Sequence, residues 1–172
     1  PMIWGVEELD MDWKTILVQH SNPRQTDVLM SVAGRLAERS NAHLIGFNVA
    51  HALAHMPTMP ALIGPEDFAA FQEIDDEQAA RLKAAFDDAT RNRAFIPEWR
   101  NVEVIGTDPA AAVIEHGRAA DVIVASQADP DWEMSGLFDA PERLALESGR
   151  PVLVGPYSGK FGEVGKRVMV AW

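Results

Sequence analysis

Five short apolar runs, separated by stretches of helical periodicity, constrain the fold of this chain more than any other feature. "KTILVQ" (14–19) is rich in β-branched residues and apolar through its centre, the pattern of a buried strand. "HLIGFNV" (43–49), "ADVIVAS" (120–126) and "PVLVG" (151–155) read the same way, and "EWRNVEVI" (98–105) alternates as a half-buried strand does. Between the first two runs, Asn22 suits a helix cap and Pro23 a first helical position. Val28, Leu29, Val32, Leu36 and Ala37 then recur at helical spacing to about Arg39. Residues 50–65 carry three prolines and no period, and read as a loop. From Glu66 to about Arg93, Phe68, Phe71, Ile74, Gln78, Leu82, Ala85, Phe86 and Ala89 trace one face of a long helix. Asp108 and Pro109 open another helix, with Ala112, Val113 and His116 on one face and an expected stop at Gly117. A short helix from about Asp139 to Ser148, closed by Gly149, precedes the fifth run.

This alternation of strand and helix predicts an α/β fold. Each crossover between parallel strands is right-handed and lays a helix on the sheet, so helices cover both faces. Ligands of such folds bind beyond the carboxyl ends of the strands, at the switch point. Here that means the loops after residues 19 and 126.

A chain of 172 residues is one domain of ordinary size. Its net charge of −11, with no stripe of Lys or Arg, argues against nucleic acid and anionic membranes as partners. Cysteine is absent, which excludes disulfides, thiol catalysis and thiolate metal sites and fits a reducing compartment. No apolar run approaches the roughly 18 residues of a membrane helix, and no signal peptide is expected from the N-terminus. Residues 1–12 are read as an extension.

A sixth run, "KRVMVAW" (166–172), follows a Gly-rich linker at 157–165. It matches "KTILVQH" (14–20) in pattern: a lysine, a variable residue, then apolar residues. It is either the first strand of a second copy or an extra edge strand.

Residues 13–156 resemble a universal stress protein (UspA-like) domain. The resemblance rests on "TILVQHSNP", "GTDPAAAVIEHGRAADVIVAS", "APERLALESGRPVLVGP" and the long second helix. It implies a five-stranded open parallel sheet in the order 3-2-1-4-5, the adenine nucleotide alpha hydrolase-like fold. It also implies a cytoplasmic, stress-linked role and dimerisation along the last strand, with ATP bound in only one branch of the family. The tail at 166–172 is what a tandem member would show where its second domain begins.

The resemblance further implies where a nucleotide would sit. The ATP-binding motif is a glycine, two residues, a glycine, nine residues, a glycine and then Ser or Thr. Counted from the downstream "E-R", these positions fall on Ala125, Ala128, Phe138 and Asp139. The aspartate that usually ends the first strand corresponds to Ser21, or to His20 if the register slips by one, and Val49 would line the pocket. All four motif positions depart. Alanine restricts φ > 0, and its Cβ obstructs the approach of a phosphate to backbone N–H groups. Asp139 would take the N–H groups at a helix start, in a capping box with Glu142. Asp129, Asp131 and Glu133 add like charge, each repulsion being worth up to ~4 kcal/mol at 4 Å separation.

ATP is therefore not expected to bind in the family's manner, and no cofactor is expected. The reading is a non-catalytic structural or regulatory module, pairing with a second copy or a tandem domain through the edge at 151–155. Two alternatives stay open: an ATP binder with an altered loop, and a small-molecule carrier whose pocket is lined by Val49, Ala125 and Phe138.

Other constellations are weaker. "DPDWE" alternates three carboxylates but lacks the glycine and distal acid of a calcium loop, and reads as solvated. His51 and His55 stand four apart in a proline-flanked stretch, with Ala52 where a metalloprotease helix carries Glu. Ser126 lacks the glycines of a nucleophile elbow. Trp132, Met134, Leu137 and Phe138 either plug the vacated pocket or form a contact surface.

Overall fold

The computed structural model describes residues 12–51, 64–104, 108–132, 135, 140–157 and 159. Among these residues the strands and α-helices are β1 (Thr15–Gln19), α1 (Thr26–Ser40), β2 (His43–His51), α2 (Pro65–Thr90), β3 (Ile96–Val104), α3 (Pro109–Gly117), β4 (Val122–Ser126), α4 (Pro141–Glu147) and β5 (Val152–Gly155), with a 3-10 turn at Pro23–Gln25 leading into α1. The strands form one all-parallel sheet in the order β3-β2-β1-β4-β5, as the alternation and the resemblance led us to expect. The run at 166–172 lies outside the described residues, as do all of the 1–12 extension but Asp12 and most of the linker.

Both faces of the sheet are buried. Ile16 and Val18 join Leu29, Val32, Ala33 and Leu36 of α1 and Phe86 of α2 in one apolar layer. Leu17 joins Val113 of α3 and Leu144 of α4 in the other. That is why β1 and β4 are apolar at successive positions rather than alternating. β3 closes one edge, where Pro97 is tolerated because an edge strand can spare an N–H.

Local chemistry explains the starts and stops. The Asp108 side chain accepts from the Ala111 N–H at the start of α3, while the Asn22 side chain accepts from the Arg24 N–H and caps the 3-10 turn at Pro23–Gln25 rather than α1 itself, which begins at Thr26. Gly149 has φ 69°, the left-handed conformation that ends a helix. Asp121 accepts from the N–H groups of Lys14 and Thr15 at 2.8 and 2.9 Å, which clamps the entry of β1 to that of β4. The aspartate of "A-D-V-I-V" is thus a structural tie.

α3 ends at Gly117 as expected, and the missing Cβ there makes room for Ile123, whose Cδ1 would lie 2.4 Å from one. Two expectations are corrected. The residue capping α4 is Ala140, which has no side chain to accept a hydrogen bond. The cap assigned to Asp139 falls one position too early, and Asp139 itself lies outside the described residues. Finally, the expected apolar face of α2 is only half used. Leu82 and Phe86 are buried, but Ile74 is 56% exposed. Gln78 already stands over Ser21, beyond the end of β1, so the earlier turns have passed the central strand.

Gly46 of β2 is required by packing. A Cβ there would lie 2.6 Å from the Phe86 ring and 2.7 Å from that of Trp99. Neither ring can yield, because the two pack on each other at 5.3 Å. Gly46→Ala is expected to destabilise the fold by roughly 1–3 kcal/mol, read as a lower urea midpoint with an unchanged slope.

Candidate functional site

The buried polar residues mark the site. Among the described residues, Gln19, His20, Ser21, Asn22, Gln25, Thr26, Ser126 and Asp129 lie at or just past the carboxyl ends of β1 and β4. β1 and β4 are neighbours whose chains leave in different directions, so the loops after them face each other across a crevice.

The loop after β1 begins with His20, whose N–H donates to the Phe47 carbonyl at 2.8 Å and extends the ladder by one residue. Strand alternation puts the His20 ring on the face covered by α1 and α2. There it packs against Phe86 and Trp99, with centroids at 5.8 and 5.5 Å. Thr26 Oγ1 is 3.5 Å from Nδ1, and Nε2 is buried without a partner. Ser21 follows, and its carbonyl accepts from Gln78 Nε2 at 3.2 Å, which latches α2 over the end of β1.

Asn22 and Gln25 then bridge to the loop after β4. Asn22 Nδ2 donates to Asp129 Oδ2 at 3.3 Å, and Gln25 Nε2 donates to the Gln127 carbonyl at 3.3 Å. Asp129 is only 6% exposed. Its Oδ1 accepts from the Asp131 N–H at 3.0 Å and its carbonyl from the Trp132 N–H at 3.1 Å. The two loops are thereby sewn together by side chains. On the far side of β1, Asn48 Nδ2 donates to Asn101 Oδ1 at 2.8 Å.

This architecture can be compared with known proteins. No protein-family model matches the sequence, and no curated protein matches it. Solved structures do. UspA from Lactobacillus plantarum superposes with a TM-score of 0.58 at 17% identity, over 83% of this chain and 97% of that one. A universal stress protein from Burkholderia pseudomallei gives 0.51 at 21% identity, over 84% and 96%. A universal stress protein solved in complex with cAMP gives 0.50 at 21% identity, over 86% and 99%. The fold is that of the universal stress proteins.

On the universal stress protein fold, the residues singled out in the sequence separate into layers. Val49 and Ala125 lie together in the apolar layer beneath the crevice, on the face covered by α3 and α4, and Ala125 is fully buried. Ser21 is buried in the loop after β1, whereas Ala128 is exposed. Phe138 and Asp139, together with Met134 and Leu137, lie outside the described residues. Trp132 is half-buried. His55, Glu133 and the side chain of His51 also fall outside them, and no group of three His, Asp or Glu residues that could hold a metal occurs among the described residues. No described helix is long and apolar enough to cross a membrane.

Sequence reasoning did not place Gln25, Gln78 and a buried Asp129 together at the crevice. Gln78 carried a signal, as the one polar member of an otherwise apolar helical face. Gln25 and Asp129 carried none, because their partners are 102 and 107 residues away.

Burial holds His20 in its neutral form, with its pKa lowered from 6.5 to about 3 by desolvation. In the unfolded chain it takes up a proton near pH 6.5, so between about 6.5 and 3 the unfolded state binds the extra proton. The stability associated with neutral His20 is complete above 6.5 and is lost as pH falls through that window. From pH 7 to 5 this amounts to about 2 kcal/mol. His20→Leu is expected to remove that share of the pH dependence, measured by urea unfolding of both proteins at pH 7 and 5. Parallel losses in the two proteins would rule it out.

Proposed function

We propose that this chain is a universal stress protein domain whose nucleotide loop is closed by its own side chains, and that it acts as a non-catalytic structural or regulatory module. The observation that carries this reading is the buried Asp129 carboxylate. It accepts from a backbone N–H and from the Asn22 amide, donors of the kind a phosphate would use in a loop of this type. The Cβ of Ala125 stands in the fully buried strand end where the family's motif has its first glycine. A phosphate would have to displace one carboxylate and approach another, Asp131. The Gln78 latch on the Ser21 carbonyl closes the same crevice from the α2 side.

Calorimetry with ATP, with and without magnesium, is expected to give no heat at micromolar concentrations. A micromolar affinity would overturn the closed loop. The second reading, an adenine-nucleotide binder with an altered loop, draws on the neighbour solved with cAMP. A cyclic monophosphate brings a single charge, so cAMP belongs in the same titration, and micromolar binding of cAMP alone would favour that reading.

The module is expected to act by pairing. Among the described residues β5 ends the sheet, and Val154 on it is 43% exposed. Leu146 and Tyr157 add exposed apolar surface close to it in sequence. An uncovered apolar edge invites another strand, from a second copy or from a tandem domain. A cytoplasmic, stress-linked setting belongs to the same family reading. Light scattering is expected to show a dimer, and a Lys at Val154 (Val154→Lys) to shift it towards monomer. A wild-type chain that stays monomeric at high concentration would count against the edge.

A further inference from the structure

We propose that the seam between residues 22–25 and 127–129 binds a monovalent cation. Two groups on this seam are left incomplete by the protein. The first is the Asp129 carboxylate, a buried charge whose hydrogen bonds come from neutral donors, Asn22 Nδ2 and the Asp131 N–H. No ion pair reaches it from a Lys, Arg or His among the described residues. The second is Gln25, which is 1% exposed. Its nitrogen is used by the Gln127 carbonyl, and its Oε1 is buried with no partner. Turning the amide over would not help, because Oε1 would then face the Gln127 carbonyl, acceptor against acceptor.

Both unmet needs have the same sign. A buried carboxylate calls for a positive charge, and a buried carbonyl oxygen calls for a donor or a cation. Oxygen-only ligands favour a hard ion over zinc or copper. One carboxylate balances one positive charge: Asp129 is the one buried acid among the described residues, Asp131 being exposed, and no group of three His, Asp or Glu residues that could hold a metal occurs among them. That is too little negative charge for calcium or magnesium, which collect six or more oxygens and usually several carboxylates. Sodium, potassium and ammonium fit. The chain's net charge of −11 draws cations towards the seam. A water molecule could satisfy Gln25 Oε1, but it would bring no positive charge to Asp129, which has no ion pair among the described residues.

The site does not depend on the nucleotide reading. It concerns cations at the carboxyl-end crevice, whether or not a nucleotide also binds there. The test is thermal unfolding of the full 172-residue chain in potassium, sodium, ammonium and tetramethylammonium chloride at equal ionic strength. At least one of the small cations is expected to raise Tm by a few degrees over tetramethylammonium, saturating with concentration. The increment is expected to vanish in Asp129→Asn and in Gln25→Met. Should either variant fail to fold, ¹⁵N-ammonium NMR on the wild-type chain supplies the independent readout: a bound ammonium gives a proton signal protected from exchange, and excess potassium removes it. Equal Tm in all four salts with no protected ammonium would overturn the proposal, leaving water at Gln25. So would an increment that persists in Asp129→Asn, which would mark a general salt effect.

Discussion

Parallel pairing of β1 with β2 on one side and β4 on the other is the constraint on which the rest of the structure depends. A strand paired on both edges and covered on both faces has no water to satisfy its backbone, so its N–H and C=O groups must be met by its neighbours. The clamp at its entry, where Asp121 takes the N–H groups of Lys14 and Thr15, extends that pairing by a side chain. Once β1 is central, its carboxyl end opens between β2 and β4, and the loops leaving β1 and β4 must face each other.

That juxtaposition turns two unremarkable loops into a site. In the covered layers, burial is satisfied by apolar contact. At the strand ends the backbone turns away, and polar side chains take over the work of satisfying it. Gln25 and Gln78 donate to the carbonyls of Gln127 and Ser21, and Asn22 donates to the Asp129 carboxylate. The chemistry there is rich in acceptors, whereas a phosphate cradle offers donors. His20 illustrates the same boundary from the core side. It ends β1 on the apolar face, where the rings of Phe86 and Trp99 leave its Nε2 without a partner.

Much of the fold was legible in the sequence because it follows from local rules. Strand runs, prolines at helix starts and the cap at Asp108 are chemistry within a few residues and were found where expected, whereas Asn22 caps the 3-10 turn that leads into α1. Gly117 ends α3 as expected, and its missing Cβ also admits Ile123. The errors arose where local rules met packing. Ile74 looked like core, but α2 runs past the central strand before that turn is reached. The place of the site was legible from topology alone, since strand ends beside the switch point are where such folds bind.

The sequence by itself determined the element order, the parallel sheet and the crevice between the loops after residues 19 and 126. Only the tertiary structure decided which side chains meet in that crevice. Asp129 looked like one of several solvated acids, and Gln25 like an ordinary polar residue before a helix. Their burial and their bonds cross more than 100 residues of chain. A hydrogen bond between loops so far apart depends on where the sheet puts them, and no local periodicity encodes that position.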